Sequence, residues 1–217
     1  MSIDFQQARF AMVEQQVRPW DVLDPRVLET LMTVPREDYV PPRHRKLAFA
    51  DLALPLEHGE SMMKPVIEGR MLQALALQPE DQVLEIGTGS GFVTACLARL
   101  AHEVTSVDIH ADFVERAQAR LVADGHLNVR LETADALAWE PGRLFDAIAV
   151  TGAVADRPER FAAWLRPGGR LFVVHGHSPV QEALLLTREG EGLLRESLFE
   201  TDIPYLRGAE PAPRFIL

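Results

Sequence analysis

Past residue 81 the chain alternates short apolar runs with amphipathic stretches. QVLEI, EVTSVDI and NVRLETAD read as strands, and LFDAIAVTGA as a strand buried on both faces. Between them, SGFVTACLARL and ADFVERAQARLVADG carry apolar residues at helical spacing, the second ending at Gly125. A short helix is expected around PERFAAWL, after which Gly168-Gly169 turns into the strand RLFVVHG. This β-α-β repetition predicts a parallel sheet with helices on both faces. Residues 180–206 lack a strong helix pattern and predict a closing antiparallel hairpin, turning at Glu189 to Gly192.

Residues 1–80 follow a different rhythm. Asp4 is placed to cap a helix through about Val17. Asp24 followed by Pro25 is a cap and a first-turn residue, and Val27, Leu28 and Leu31 then share a face until Pro35 stops the helix. Pro41-Pro42 is a second stop. A further helix begins at Pro65, with Ile67, Met71, Leu72 and Leu75 at helical spacing, and Gln78 to Asp81 form a turn. We therefore expect one compact unit in two parts: residues 1–80, helical and carrying a loop, and residues 81–217, an α/β domain. The loop is EHGESMMKP, residues 57–65, which has neither helical spacing nor strand alternation.

Composition narrows the partners. With 217 residues and a formal net charge of -10, the chain suits one acidic α/β domain that repels nucleic acid and anionic membrane surfaces. Its densest basic cluster, Arg43 to Lys46, is short and reads as a solvated turn. Cys96 is the single cysteine, so no intramolecular disulfide forms, and its apolar setting predicts a buried structural thiol. MSIDFQQARFAMVEQQV has no long apolar stretch, so no signal peptide or membrane span is expected and the protein reads as cytoplasmic. No metal is expected, since His175 and His177 lack a third ligand at suitable spacing. Trp20, Trp139 and Trp164 read as packing residues.

The candidate chemistry lies in VLEIGTGSGF, where the first strand meets its helix. Gly87, Gly89 and Gly91 remove side chains where a ligand must lie against backbone. The next strand ends at Asp108, about twenty residues on, where a carboxylate accepts from both ribose hydroxyls. The third leads to Asp135, which can accept from an adenine amino group or cap a helix. Together these predict an adenosine-containing ligand at the carboxyl ends of the strands. The spacing is E-x-G-x-G-x-G and not the dinucleotide G-x-G-x-x-G, which points to S-adenosylmethionine, a ligand without a pyrophosphate.

Over about residues 10–206 the sequence resembles the protein-L-isoaspartate O-methyltransferases. VLEIGTGSGFVTACLARL is close to that family's first motif, and FDAIAVTGA and LRPGGRLFVV match its fourth and fifth strand regions. VPREDYVP at 34–41 and ALPLEHGES at 53–61 are the more family-specific segments. The resemblance implies a Rossmann-like class I S-adenosylmethionine-dependent methyltransferase fold. Its sheet would be mostly parallel, with a C-terminal antiparallel hairpin and an N-terminal helical segment. It implies methyl transfer to the free α-carboxylate of L-isoaspartyl residues in damaged proteins or peptides, whose ester then closes to a succinimide. By matching positions, Glu85, Gly87, Thr88, Gly89, Ser90, Gly91 and Thr151 would surround the methionine moiety and ribose. Asp108 and Ile109 would hold the ribose, and Asp135 with Ala136 the adenine.

The chain departs from the family where the acceptor binds. The family's Thr-Ile-Ser segment becomes Ser61-Met62-Met63, so Met63 stands in the serine place and Lys64 follows it. Ser61, Met63 and Lys64 are therefore the candidate acceptor-side residues. An Arg-Phe-Val-Pro-Leu type segment becomes Thr201 to Leu206, with Thr201 in the arginine place. The usual Gly-Asp-Gly becomes Ala134-Asp135-Ala136. A carboxylate acceptor is already ionised at neutral pH, so transfer needs positioning more than a base. Two other readings stay open: the same fold with a different acceptor, and a cofactor-binding protein without isoaspartyl activity.

Overall fold

The computed structural model describes residues 4–212. Helix α1 spans Phe5–Met12, and the Asp4 carboxylate caps it by accepting from the Gln6 and Gln7 N–H groups at 3.0 and 3.1 Å. The helical path then widens into a π turn at Val13–Val17 and tightens into a 3-10 turn at Arg18–Trp20, where Pro19 supplies no N–H. Helix α2, Pro25–Thr33, starts under the Asp24 cap and stops because Val34, preceding Pro35, is extended. A short α3, Arg36–Tyr39, leads into a 3-10 turn at Pro42–Leu47 that holds the basic cluster in solvent. Strands β1, Leu54–Pro55, and β2, Ser61–Met62, form a small antiparallel pair around the 57–60 loop. Helix α4 is Pro65–Leu75.

The rest builds one sheet. Strands β3 (Gln82–Ile86), β4 (Glu103–Asp108), β5 (Val129–Thr133), β6 (Phe145–Val154), β7 (Leu165–His177), β8 (Val180–Glu189) and β9 (Gly192–Thr201) lie in the order β5-β4-β3-β6-β7-β8-β9. The first five of these in space are parallel, and β8 and β9 return antiparallel as the expected hairpin. Helix α5, Phe92–Leu100, joins β3 to β4, and α6, Ala111–Ala123, joins β4 to β5. Strand β7 starts earlier than the sequence pattern suggests. Leu165 pairs with Phe145, the register slips at Gly168-Gly169, and pairing resumes at Arg170 with Ala147.

Helices on both faces were expected, and the structure corrects this. Buried residues of α1, α2, α4, α5 and α6 share a single hydrophobic cluster on one face of the sheet. The other face is covered by the 3-10 turn Pro158–Trp164, the turn at residues 134–139 and the tail after β9. The short helix expected around PERFAAWL is the 3-10 helix Pro158–Trp164, and Trp139 packs edge to face on Trp164 at 5.8 Å. Trp20 is half exposed and is not a core residue. Cys96 is fully buried. No helix among the described residues is long and apolar enough to cross a membrane.

The tail after β9 turns back across the sheet. The buried Gln181 amide clamps Ile203, accepting from its N–H at 2.8 Å and donating to its carbonyl at 3.2 Å. Ala153 N–H then donates to Pro204 and Leu206 N–H donates to Ala153, both at 2.8 Å, laying the tail beside the end of β6.

Candidate active site

The chain runs from β3 outward to β4 and β5, then returns to β6 on the other side of β3. The carboxyl ends of β3 and β6 therefore diverge, which is where an open parallel sheet leaves a crevice. A cleft opens there, at the position where open α/β sheets take their ligands. The glycine loop forms its floor, α6 and the turn after β5 one wall, and the 61–64 loop with the tail the other.

The sequence-predicted residues divide. Gly87, Gly89, Asp108, Ile109, Asp135, Ala136 and Thr151 line this cleft, as do Ser61, Met63 and Lys64. Thr88 and Ser90 face a smaller cavity beneath the 61–64 loop, which they share with Met62 and Met63. Glu85 and Gly91 reach neither. Gly91 has φ +86° and opens α5, and a methyl group there would lie 3.0 Å from the Ala117 Cβ, so it sets how closely α5 approaches α6.

Glu85 is a support below the loop. Its fully buried Oε2 accepts from Thr94 Oγ1 at 2.5 Å and from Ser106 Oγ at 2.6 Å. The Ser106 proton is thereby spent, so Thr88 Oγ1 donates to Ser106 Oγ at 2.6 Å, and a hydroxyl chain ties the glycine loop to β4. Oε1 has no protein partner among the described residues, and burial outweighs the two hydroxyls to push the carboxyl up to about 8.

The residues fit S-adenosylmethionine. A Cβ at Gly87, where φ is +99°, would lie 2.2 Å from Thr151 Oγ1, so the backbone here is bare by necessity. Thr151 Oγ1 in turn donates toward the Gly87 carbonyl at 2.8 Å and fixes the loop to β6. Asp108 is held rigidly, with Oδ2 accepting from Gly89 N–H at 2.8 Å and Oδ1 from His110 N–H at 2.9 Å. Each oxygen keeps a free lone pair for a diol. Burial pushes the Asp108 carboxyl up, against the pull of those two N–H groups. The arrangement disfavours a pyrophosphate, because the Gly89 N–H that would cradle it already serves a carboxylate. Among the described residues, Glu60, Asp108, Asp135 and Asp202 line the cleft against two permanent cations, Lys64 and Arg207, a balance that suits a cationic sulfonium. Asp135 lies in a tight turn, where Oδ1 accepts from Leu137 N–H at 2.9 Å and Oδ2 stays available.

On the acceptor side the two cations differ. Arg207 donates to the His58 carbonyl at 2.9 Å and lies 3.4 Å from Glu60 Oε1. Lys64 is exposed and pairs with no carboxylate among the described residues. Met63 is buried in the wall between the cleft and the smaller cavity, while Met62 faces only the latter.

Several wall residues were not foreseen. Phe113 lines the cleft from the first turn of α6, where its helical spacing reads as core. His110 lines it too, and stacks face to face on His58 at 4.0 Å. These two and Asp112 bring ligand-type atoms within 4.8 Å of one another, but parallel rings aim their in-plane lone pairs past each other and not at one ion. Of the tail residues on the cleft, Asp202, Tyr205 and Leu206 belong to the segment that the resemblance places on the acceptor side, whereas Arg207 was not expected; all reach it through the crossing beside β6.

Comparisons with known proteins bear on this site. The profile of the family described as Protein-L-isoaspartate(D-aspartate) O-methyltransferase (PCMT) matches residues 7–203. A Protein-L-isoaspartate O-methyltransferase 1 from Anaeromyxobacter sp. (strain Fw109-5) is 41% identical over 83% of this chain and 86% of its own length. A Protein-L-isoaspartate O-methyltransferase from Methylorubrum extorquens (strain PA1) is 39% identical over 96% of this chain and 92% of its own length. The same fold occurs in a Plasmodium falciparum chain assigned to protein-L-isoaspartate O-methyltransferase and crystallised with S-adenosyl-L-homocysteine. That match has a TM-score of 0.80 at 19% identity, over 94% of this chain and 99% of that one.

Proposed function

The chain belongs to the protein-L-isoaspartate(D-aspartate) O-methyltransferase family, and from that we propose that it methylates the free α-carboxylate of L-isoaspartyl residues in damaged proteins and peptides. S-adenosylmethionine, when bound, supplies the methyl group on a sulfonium sulfur. One observation carries the reading. The Asp108 carboxylate, locked between two backbone N–H groups, stands at the edge of a bare glycine strip whose other wall is the acceptor loop.

The side chains then take the following roles. Gly87 and Gly89 present backbone to the methionine moiety, and Asp108 holds the ribose diol with Ile109 beside it. Asp135 and Ala136 border the adenine, and Thr151 braces the loop from β6. Thr88, Ser90 and Glu85 act from beneath. Lys64 is the cation free to meet an acceptor carboxylate, with Ser61 and Met63 as the wall around the reacting centre. The carboxylate is ionised near neutral pH, so the chain needs no general base and acts by placing the acceptor and excluding water. We place this activity in the cytoplasm, on a peptide or protein partner and without nucleic acid. We read residues 1–80 as the acceptor-side segment and 81–217 as the cofactor domain.

Met63 in the serine place and Asp202 on the cleft wall favour a second reading, the same transfer to a less acidic acceptor. An isoaspartyl peptide and its aspartyl twin, each incubated with labelled methyl donor, decide between the two. Label in the isoaspartyl peptide alone supports the repair reaction. Binding of S-adenosylhomocysteine without transfer to either peptide overturns it in favour of another acceptor. No binding at millimolar concentration overturns both.

A further inference from the structure

Arg36 opens α3 in the VPRE segment and is almost wholly buried. Its guanidinium is spent on four partners from four parts of the chain. Nε donates to the Ala48 carbonyl at 2.9 Å, and Nη2 donates to the Met63 carbonyl at 2.9 Å. Nη1 donates to the Glu68 carboxylate on α4, and the guanidinium stands 4.6 Å from the ring centre of Phe92, the first residue of α5. The glycine loop ends at that same helix start.

The 61–64 loop needs such a tie. Its ladder to β1 pairs Pro55 with Ser61 and Leu54 with Met62 and stops there. Beside Met62 and Met63 lies the smaller cavity, about 40 Å³, bordered by Glu68, Thr88, Ser90 and Phe92. Packing of Met62 and Met63 in the main hydrophobic cluster holds their side chains but does not by itself fix a backbone carbonyl. The Met63 carbonyl is instead held from the core by a planar fork that is itself immobilised by an ion pair and a ring. Methyl transfer demands placement to within a fraction of an ångström, since productive contacts are about 3–3.5 Å.

We propose that Arg36 is the positioning residue of the acceptor loop, setting through the Met63 carbonyl where Ser61, Met63 and Lys64 stand relative to the glycine strip. Arg36 touches neither cofactor nor acceptor. Its effect on turnover rests on the methyltransferase reading, but its effect on the loop does not.

Arg36→Lys keeps a charge for Glu68 and loses the fork. Three measurements test it. Amide hydrogen exchange in residues 60–64 should quicken about tenfold or more, while β3 and α5 keep wild-type protection. S-adenosylhomocysteine affinity by calorimetry should stay within about threefold, since Asp108 and the glycines are untouched. The kcat on an isoaspartyl peptide should fall about tenfold to a hundredfold, the worth of a charge-assisted hydrogen bond expressed in the transition state. Phe92→Leu, which removes only the ring beneath the guanidinium, should shift loop exchange the same way by a smaller factor, and decides the matter if Arg36→Lys does not fold. Unchanged exchange at 60–64 in the folded variants overturns the proposal. So does loosening of loop, β3 and cofactor affinity together, which marks a purely structural role. A wild-type enzyme inactive on isoaspartyl peptide would sink the functional reading and leave the exchange result standing.

Discussion

Replacing Glu85 by Gln should remove one pH-dependent contribution to stability and leave the cofactor site nearly intact. The carboxyl is fully buried, has an ordinary value of 4.5 and is pushed up to about 8 by burial. Between those values the folded chain keeps a proton that the unfolded chain gives up. More protons bound in the native state means that stability falls as pH rises through this window. The contribution is fully present below about 4.5 and lost above about 8. At about 1.4 kcal/mol per pH unit the change is about 5 kcal/mol across the window, a large share of the roughly 5–15 kcal/mol typical of a domain. Gln cannot titrate, and its carbonyl still accepts from Thr94 and Ser106. Asp108 and Glu68, also pushed up by burial, contribute alike to both proteins, so only the difference is informative. Urea denaturation of wild type and variant at pH 5, 6.5, 8 and 9, at constant ionic strength, gives that difference. The wild type should lose about 4 kcal/mol relative to Glu85→Gln from pH 5 to pH 9, since the series starts just above the unfolded value, and S-adenosylhomocysteine affinity at pH 7 should change less than about threefold. Parallel pH profiles would refute the buried neutral carboxyl. A tenfold loss of cofactor affinity would refute its place beneath the loop.

Asp108→Asn should weaken S-adenosylhomocysteine about a hundredfold in calorimetry. One carboxamide cannot accept from Gly89, His110 and a diol together, and each charge-assisted bond is worth about 1.5–3 kcal/mol. A change under about threefold would speak against the ribose assignment. Gly87→Ala adds a Cβ 2.2 Å from Thr151 Oγ1 at φ +99°, and should cost about 3 kcal/mol or more, near 10 °C in thermal midpoint for a chain of this size; a midpoint within about 2 °C of wild type would contradict the close approach. Lys64→Met should raise KM for an isoaspartyl peptide about tenfold with cofactor affinity unchanged, and an unaltered KM would remove Lys64 from the acceptor site.

What the sequence disclosed depended on how local each cause is. Caps and strand rhythm act within a few residues, so Asp4, Asp24, Pro25 and the β-α alternation placed their elements directly. Gly87, Gly89 and Asp108 were legible because a ligand at a strand end demands a bare backbone and an acid at fixed spacing. Glu85 misled for a complementary reason. An acid two residues before Gly87 looks like a ligand contact, yet strand alternation turns it under the loop, where Thr94 and Ser106 meet it. Helices were expected on both faces because the pattern shows that a face is covered and not what covers it; here a 3-10 turn and the tail suffice.

The acceptor side was the least legible part, because its geometry is made by contacts remote in sequence. Arg207 meets the 57–60 loop only after the tail has crossed beside β6, and Gln181 fixes that crossing from another strand. Arg36 lies in the family-specific VPRE segment, but the sequence does not show what its fork reaches at residues 48, 63 and 68. The substitution at Met63 also gains meaning from that geometry. Met63 lies in the wall between cleft and inner cavity with its carbonyl held by Arg36. The Arg36 tie is to the Met63 backbone, so a different side chain there still leaves its acceptor atom in place. On the proposed reading, the loop can therefore change the side chain it shows to an acceptor while keeping that tie.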